Sequence, residues 1–161
     1  MTGSSELTDA RVVDLMQRVK HLDSDAWAAL VTMGSPWIYG WCRGAGVEPQ
    51  EAGEIVKRVF AGVSRAIGNF RREITVERVR EWWWSVTRHK IKGYYQNRYD
   101  AAEAERRTGE LPEKPPSERA GEDRTYHQEP ELQSALTRIL EIGRDEITSR
   151  HPRKRGLASG K

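Results

Sequence analysis

The sequence predicts an all-α protein: a compact helical bundle of about four helices, followed by an acidic flexible linker and one C-terminal helix. Apolar residues recur at intervals of three and four, which is the period of one face of a helix. No segment shows the alternation of apolar and polar residues that is typical of a strand. Before the last helix, prolines are mixed with charged residues, a composition that buries too little apolar surface to fold.

The first two helices are predicted from their apolar faces and their end signals. The first extends from about residue 8 to residue 21, and the second begins at Ser24, which is a good N-cap residue. Pro36 interrupts the second helix, because proline lacks a donor and clashes with the preceding turn. We therefore expect a kink or two short helices there, and an end at residues 44–46. The apolar faces comprise Val12, Leu15, Met16, Val19, Trp27, Leu30, Val31, Ile38 and Trp41.

The third and fourth helices complete the predicted bundle. The third begins at Pro49, where the missing N–H of proline costs nothing, and ends at residues 68–69. A short loop, residues 69–74, leads to a fourth helix with Thr75 as N-cap and Glu77 in its first turn. The predicted buried faces comprise Ala52, Ile55, Val56, Val59, Phe60, Val63 and Ile67, and then Val79, Trp82, Trp83 and Val86.

These patterns divide the chain into five parts. We expect a disordered N-terminus (residues 1–7), a helical domain (8–100), a flexible acidic linker (101–130), an isolated amphipathic helix (131–151) and a basic disordered tail (152–161). The last helix presents Leu132, Leu136, Ile139, Leu140 and Ile147 on its apolar face.

The distribution of charge is more informative than the formal net charge of +3. Residues 65–98 contain nine basic and three acidic side chains, whereas residues 99–135 contain five basic and ten acidic ones. A basic block beside acidic ones concentrates positive potential on one segment, which favours a polyanionic partner.

Residue types needed for catalysis are sparse. Cys42 is the single cysteine, which excludes an internal disulfide, and the four histidines lack the spacing of metal ligands. No glycine-rich phosphate loop is present. We therefore predict neither an enzyme nor a cofactor. Without a signal peptide or an apolar run of membrane-spanning length, we predict a cytoplasmic protein with no membrane partner.

A basic and aromatic stripe lies within residues 69–98. Trp82 and Trp83 belong to the predicted buried face, but Trp84 does not. It shares a second stripe, rotated by roughly 120–160° at 100° per residue, with Arg88, Ile91, Tyr95 and Arg98. If this stripe faces solvent, it suits unpaired nucleic acid, because cations meet phosphates and rings stack on bases. The alternative is that the tryptophans belong to the core and the arginines to a solvated surface.

Three blocks share their pattern and spacing with one known family. Their sequences are PWIYGWC at residues 36–42, PQEAGEIVKRVF at 49–60 and VREWWWSVTRH at 79–89. They are similar to the patterns P-L-I-Y-R-W-C, P-x-D-A-E-D-x-V-Q-E-V-F and F-R-G-W-L-W-x-V-T-R-N. The chain thus resembles, over about residues 13–98, the sigma-70 family of bacterial transcription initiation factors, and within it the small extracytoplasmic-function class.

The resemblance implies a sigma region 2-like domain with two partners. Its third helix would dock on the clamp helices of the β′ subunit of core RNA polymerase through Glu51, Glu54, Ile55, Lys57 and Arg58. Its fourth helix and the preceding loop would capture unpaired bases of the promoter −10 element. The implied contacts with single-stranded DNA are Asn69, Phe70, Arg71, Arg72, Arg80, Trp84, Arg88, His89, Lys92, Tyr95 and Arg98. An anti-sigma factor is a further candidate partner, and the implied location is cytoplasmic, at the nucleoid.

Departures from the family pattern leave two hypotheses open. Lys57 and Arg58 stand where the family has Gln and Glu, while His89 and Gly93 replace Asn and Asp. Residues 131–151 resemble only the first helix of the helix-turn-helix region 4. The first hypothesis is a truncated or degenerate sigma factor, which the retained tryptophans and arginines favour. The second is a non-initiating helical protein-interaction module derived from a sigma factor, which the reversed charges favour.

Overall fold

The computed structural model is all-helical in the part of the chain that it describes, residues 8–21, 23–70, 73–116, 126 and 129–149. No strand occurs among these residues, which confirms the predicted class. The predicted disordered ends, residues 1–7 and 152–161, lie outside the described residues. The helices described are α1 (Asp9–Lys20), α2 (Ser24–Gly44), α3 (Pro49–Ala66), α4 (Val76–Arg98), α5 (Ala101–Gly109) and α6 (Pro130–Ser149), with a 3₁₀ turn at Ile67–Asn69.

Side-chain caps set the beginnings of the helices. The Thr8 hydroxyl accepts a hydrogen bond from the Arg11 amide, and Thr75, as predicted, accepts one from the Arg78 amide (3.1 Å). Asp23, rather than the predicted Ser24, caps α2, because its carboxylate accepts from two successive amides, those of residues 25 and 26. An acceptor that satisfies two free amide donors is the better cap.

Helix α2 is a single helix that contains Pro36, so the expected division into two short helices does not occur. Tertiary packing explains the difference. Gly34 faces Trp83 of α4 so closely that an added Cβ atom would lie 2.3 Å from Trp83 Cζ3. The buried turn around Gly34 therefore stabilises a helix that the proline alone would interrupt.

An aromatic core joins α2, α3 and α4. The Trp83 ring is fully buried and lies edge-to-face with Phe60, with the ring centres 5.3 Å apart. Trp27 meets the same Phe60 ring edge-on at 5.9 Å. The prediction that Trp83 belongs to the core is thus confirmed. Trp82, in contrast, is only partly buried and packs at the edge of the core.

Helix α6 is not isolated, because its apolar face packs on α2 and α3. Leu132, Ala135 and Ile139 are buried there. The third helix accommodates α6 through Gly53, where an added Cβ atom would lie 3.1 Å from the Glu131 carbonyl oxygen. An amphipathic helix does not reveal its partner in its sequence, which is why the periodicity predicted the helix but not its contact.

Charged and aromatic side chains anchor the chain just before α6. The Glu129 carboxylate accepts hydrogen bonds from Arg43 (Nε–Oε1 3.0 Å) and from the Tyr39 hydroxyl. The hydrogen bond from Arg43 lowers the pKa of Glu129 below its ordinary value. Burial, followed by the bond to Glu129, raises the pKa of Tyr39. The guanidinium of Arg43 also lies 5.2 Å from the ring centre of Tyr126.

The first part of the predicted linker, residues 101–130, is helical. Asp100 caps α5 by accepting a hydrogen bond from the Glu103 amide at 2.9 Å. Glu103 also pairs with Arg106 and Arg107, and the hydrogen bond from Arg106 is the main reason that the pKa of Glu103 falls to about 2. A cap and two ion pairs at helical spacing favour a short helix despite the polar composition. Residues 117–125 lie outside the described residues.

Candidate nucleic-acid interface

Helix α4 has two unlike faces. Its buried face comprises Val79, Trp83, Trp84, Thr87, Ile91 and Tyr95. Its basic face, as we define it, comprises Arg78, His89 and Lys92, which are exposed, with the partly buried Arg88 and Lys90 at its two edges. Because residues 78, 85, 89, 92 and 96 recur at helical spacing and are all exposed, this face runs along the whole helix.

A groove of about 630 Å³ separates the basic face from α3. Glu51 and Arg58 of α3 line it together with His89 and Lys90 of α4. The structure thus brings residues predicted to bind polymerase beside residues predicted to bind DNA.

A second groove, of about 600 Å³, lies on the other side, between α4 and α5. Arg88 and Lys92 line it, opposite Glu105 and Thr108. The Nε atom of Arg88 is buried and has no hydrogen-bond partner among the described residues. A buried donor without a partner costs free energy, so an acceptor that enters this groove would gain that interaction.

Lys90 and Lys92 are the two lysines of the basic face. In the described part of the chain, no carboxylate lies within ion-pair distance of Lys90 or Lys92. Arg98, at the end of α4, differs because it pairs with Glu48 at 2.6 Å and lies 5.8 Å from the ring centre of Tyr94. The lysines are therefore available to an external anion, and Arg98 is partly engaged.

The two aromatic residues of the predicted DNA stripe are buried, so the prediction that they face solvent is wrong. Trp84 is 2% exposed, lies edge-to-face with Trp41 at 5.4 Å and donates its indole N–H to the Pro112 carbonyl (3.1 Å). Tyr95 is 3% exposed and donates its hydroxyl to the Ala45 carbonyl at 2.7 Å. Neither ring has a free face on which a base could stack.

Arg80, another predicted DNA contact, is also engaged within the chain. Its guanidinium lies 5.3 Å from the ring centre of Trp37 and 5.9 Å from that of Trp41. Its Nη2 atom donates to the Pro116 carbonyl oxygen at 2.7 Å. Arg80 therefore belongs to the surroundings of Trp84 rather than to the basic face.

An aromatic pair lies at the other end of the basic face, beside the loop that precedes α4. Phe70 is largely buried and stacks on Trp82, with ring centres 4.9 Å apart. Lys20 donates to the Phe70 carbonyl oxygen and so holds this loop. Asn69 is exposed next to the pair, and the predicted contacts Arg71 and Arg72 lie outside the described residues. Trp82 was predicted as core, and its partial exposure here was missed.

The predicted polymerase contacts on α3 fall on two sides of that helix. Glu51 and Arg58 are exposed beside α4, whereas Ile55 is 2% exposed and belongs to the core. Glu54 and Lys57 form an ion pair (2.7 Å) and line a groove against α6. These five residues are therefore not one continuous free surface.

Groups suited to catalysis do not converge in the described part of the chain. No three His, Cys, Asp or Glu side chains there could hold a metal ion together. Cys42 is fully buried, and burial raises the pKa of its thiol. No described helix is long and apolar enough to cross a membrane.

Comparison with models of known protein families, with characterised proteins and with solved structures found no match. The function must therefore be inferred from the geometry of this chain together with its sequence resemblance. Its most distinctive surface is the basic face of α4 with a groove on either side.

Proposed function

We propose that this chain is a sigma-like transcription initiation factor that binds unpaired promoter DNA through α4 and core RNA polymerase through α3. The observation that carries the proposal is the basic face of α4. Lys90 and Lys92 have no carboxylate partner among the described residues, and Arg88 has a buried donor without an acceptor. Cations arranged along one helix between two grooves match the spaced phosphates of a nucleic-acid strand.

The aromatic contact with DNA is assigned to Trp82 rather than to Trp84. Trp82 is partly exposed, and its ring is held on one side by Phe70 at 4.9 Å. A ring held in this way stacks on an unpaired base without losing much conformational freedom. The pair lies beside the loop that captures −10 bases in the family this chain resembles, which supports the assignment.

The polymerase contact is assigned to the exposed residues of α3 beside α4. Glu51 and Arg58 flank the groove that also contains His89 and Lys90. A helix of the β′ clamp that entered this groove would contact α3 and α4 together. The contact would then place the polymerase next to the bound strand.

One observation favours the second candidate, a non-initiating protein-interaction module. Helix α6 covers the Gly53 side of α3 and narrows the surface that the resemblance assigns to polymerase. Glu54 and Lys57 on that side neutralise each other. A chain that retained the fold but bound a different protein would show this arrangement as well.

The DNA assignment is tested with fluorescently labelled single strands about 12 nucleotides long and with duplexes of the same sequence. We expect the single strand to bind more tightly than the duplex. Lys92→Glu should weaken binding and, because it removes one lysine–phosphate ion pair, should lower the slope of log affinity against log salt by about 0.7. The matched control is Arg138→Glu on α6, which alters an exposed ion pair far from α4 in sequence.

Equal affinity of the wild-type chain and Lys90→Glu/Lys92→Glu would contradict the DNA assignment.

The polymerase assignment is tested separately, by co-purification of the full chain with bacterial core RNA polymerase. We expect retention, and stronger retention of Lys57→Gln/Arg58→Glu, which restores the family residues. DNA binding without any retention would favour the interaction module.

A further inference from the structure

A proline-rich segment crosses the buried face of α4. We call residues 111–116, with the sequence LPEKPP, the proline strap. Two side chains of α4 hold it: the Trp84 indole N–H donates to the Pro112 carbonyl (3.1 Å), and Arg80 Nη2 donates to the Pro116 carbonyl (2.7 Å). The strap has neither helix nor strand structure. It bends at residues 111, 113 and 114, and two of its carbonyl oxygens hold it on α4.

The surface beneath the strap is an aromatic groove formed by Trp41 and Trp84, with Arg80 at one side. Trp41 meets Trp84 edge-on at 5.4 Å and Trp37 at 6.4 Å, and Arg80 lies close to the rings of both Trp37 and Trp41. Gly40 and Gly44 form part of its wall and present no side chain. The groove is therefore lined by aromatic rings and edged by two hydrogen-bond donors.

The strap does not fill this groove. A cavity of about 290 Å³ remains, lined by Trp41, Trp84 and Tyr95 and by residues of the strap itself. Leu111 is the one residue of the strap that is buried; Pro112, Glu113 and Lys114 are exposed. Atoms that line unfilled space make fewer dispersion interactions, so a ligand with a larger apolar group would bind the groove better than the strap does.

The chemistry of the groove is that of proline recognition. Proline fixes φ and lacks an N–H, so a proline-rich segment presents carbonyl acceptors at little entropic cost. Aromatic grooves with indole donors bind such segments through ring contacts and carbonyl hydrogen bonds. In the strap, Pro112 and Pro115 have the spacing P-x-x-P.

We propose that the aromatic groove is a recognition site for a proline-rich peptide of a partner protein. The proline strap occupies the site within the same chain, and the partner peptide displaces it. The basic face lies on another side of α4, so this proposal does not depend on nucleic-acid binding. Trp84 is the central donor of the site, and Arg80 is the second.

Tethering determines how the exchange must be measured. The strap is joined directly to α5, so its effective concentration at the groove is on the order of millimolar. A free peptide competes poorly with it in the wild-type chain. Replacing the strap prolines by alanine weakens the internal competitor and leaves the groove unchanged.

The test uses the full chain and a labelled peptide with the sequence of residues 109–118. We expect Pro112→Ala/Pro115→Ala/Pro116→Ala to bind this peptide at least about tenfold more tightly than the wild-type chain does. A peptide in which the same prolines are alanine should bind at least about tenfold more weakly. In the triple variant, Trp84→Phe keeps an aromatic ring but lacks the donor, and should weaken binding about fivefold.

The matched control is Trp27→Phe in the same background. It removes an indole N–H that contacts the Ile139 carbonyl at the α2–α6 interface, away from the groove. This variant should bind the peptide as the triple variant does. Equal binding of the proline and alanine peptides, or no effect of Trp84→Phe, would overturn the proposal.

Two further measurements keep the proposal testable. If the triple variant does not fold, the indole N–H signal of Trp84 in the wild-type chain, assigned with Trp84→Phe, should shift when millimolar peptide is added. The absence of a shift would overturn the proposal. A wild-type chain that dimerises with concentration and is dissociated by the peptide would show that the occupant is the strap of a second copy, which would overturn the assignment to a partner protein.

Discussion

The two faces of α4 differ in how their hydrogen-bond donors and cations are used. On the buried face, the Trp84 indole and the Arg80 guanidinium donate to carbonyls of the proline strap. On the basic face, Lys90 and Lys92 have no carboxylate partner in the described part of the chain. The difference teaches that an arginine or an aromatic ring of this stripe can contact nucleic acid only when its donor or ring face is not already used within the chain.

The same difference predicts which substitutions on α4 change stability and which change binding. Substitutions on the buried face remove packing and leave carbonyls without donors, so they should change the free energy of unfolding. Substitutions on the basic face remove charges that contact solvent, so they should change affinity for a polyanion and leave stability nearly unchanged.

The largest effect is expected for Trp84→Ala. Removing this buried ring should cost about 3–5 kcal/mol of unfolding free energy. Urea denaturation followed by circular dichroism measures this decrease, and the decrease for Trp84→Phe should be much smaller. Single-strand affinity, measured where the variant is folded, should stay unchanged. A stable Trp84→Ala variant that no longer bound DNA would reverse the comparison of the two faces.

Gly34→Ala tests the same face from α2. The added Cβ atom would lie 2.3 Å from a ring atom of the fully buried Trp83, so the ring or the backbone around it must shift. Overpacking of this kind costs about 1–3 kcal/mol. The matched control is Gly44→Ala in the same helix, where an added Cβ atom has no neighbour within 4 Å. Equal denaturation midpoints for the two variants would show that Trp83 has room to move.

Acid should weaken the ion pair between Arg43 and Glu129. Because the hydrogen bond from Arg43 holds the pKa of Glu129 below the ordinary 4.5, folding favours its ionised form. This contribution to stability is complete above pH 4.5 and disappears as the pH falls through the folded pKa.

The measurement is the urea midpoint from pH 7 to pH 2. We expect the urea midpoint of the wild-type chain to decrease once the pH is lower than 4.5. The urea midpoint of Glu129→Gln should be lower at pH 7 and should change less with pH. Glu105→Gln, at an exposed position on α5, is the control and should follow the wild-type curve. A Glu129→Gln curve parallel to the wild-type curve would mean that Arg43 does not stabilise this carboxylate.

The smallest effect on stability is expected for Lys92→Glu. The side chain is exposed and unpaired among the described residues, so the unfolding free energy should change by less than about 0.5 kcal/mol. Its effect should instead appear as weaker, less salt-dependent binding of single-stranded DNA. A marked decrease in stability without a change in affinity would place Lys92 with the buried face.

Much of the fold could be predicted because its signals are local. The cap at Thr75 and the proline at the start of α3 act on neighbouring residues, so the chain alone reveals them. The burial of Trp83 follows from its helical spacing. The continuity of α2 through Pro36 could not be predicted in this way, because this part of the helix packs against a ring contributed by another helix.

The candidate site was predicted less completely. The exposure of Arg98 agrees with the predicted stripe, but Trp84, Ile91 and Tyr95 are covered. Periodicity defines one buried face per helix, and α4 is buried on a wider arc because α2, α5 and the proline strap all contact it. The periodicity of a helix does not indicate how many other elements pack against it.

The sequence by itself determined the helical class, most helix boundaries and the concentration of positive charge on α4, since each of these depends on residues close together in the chain. The tertiary structure alone decided which tryptophans are covered and where α6 and the proline strap lie. It also decided which cations keep their donors free. These outcomes depend on contacts between residues far apart in the chain, such as Trp84 with Pro112 and Gly53 with Glu131.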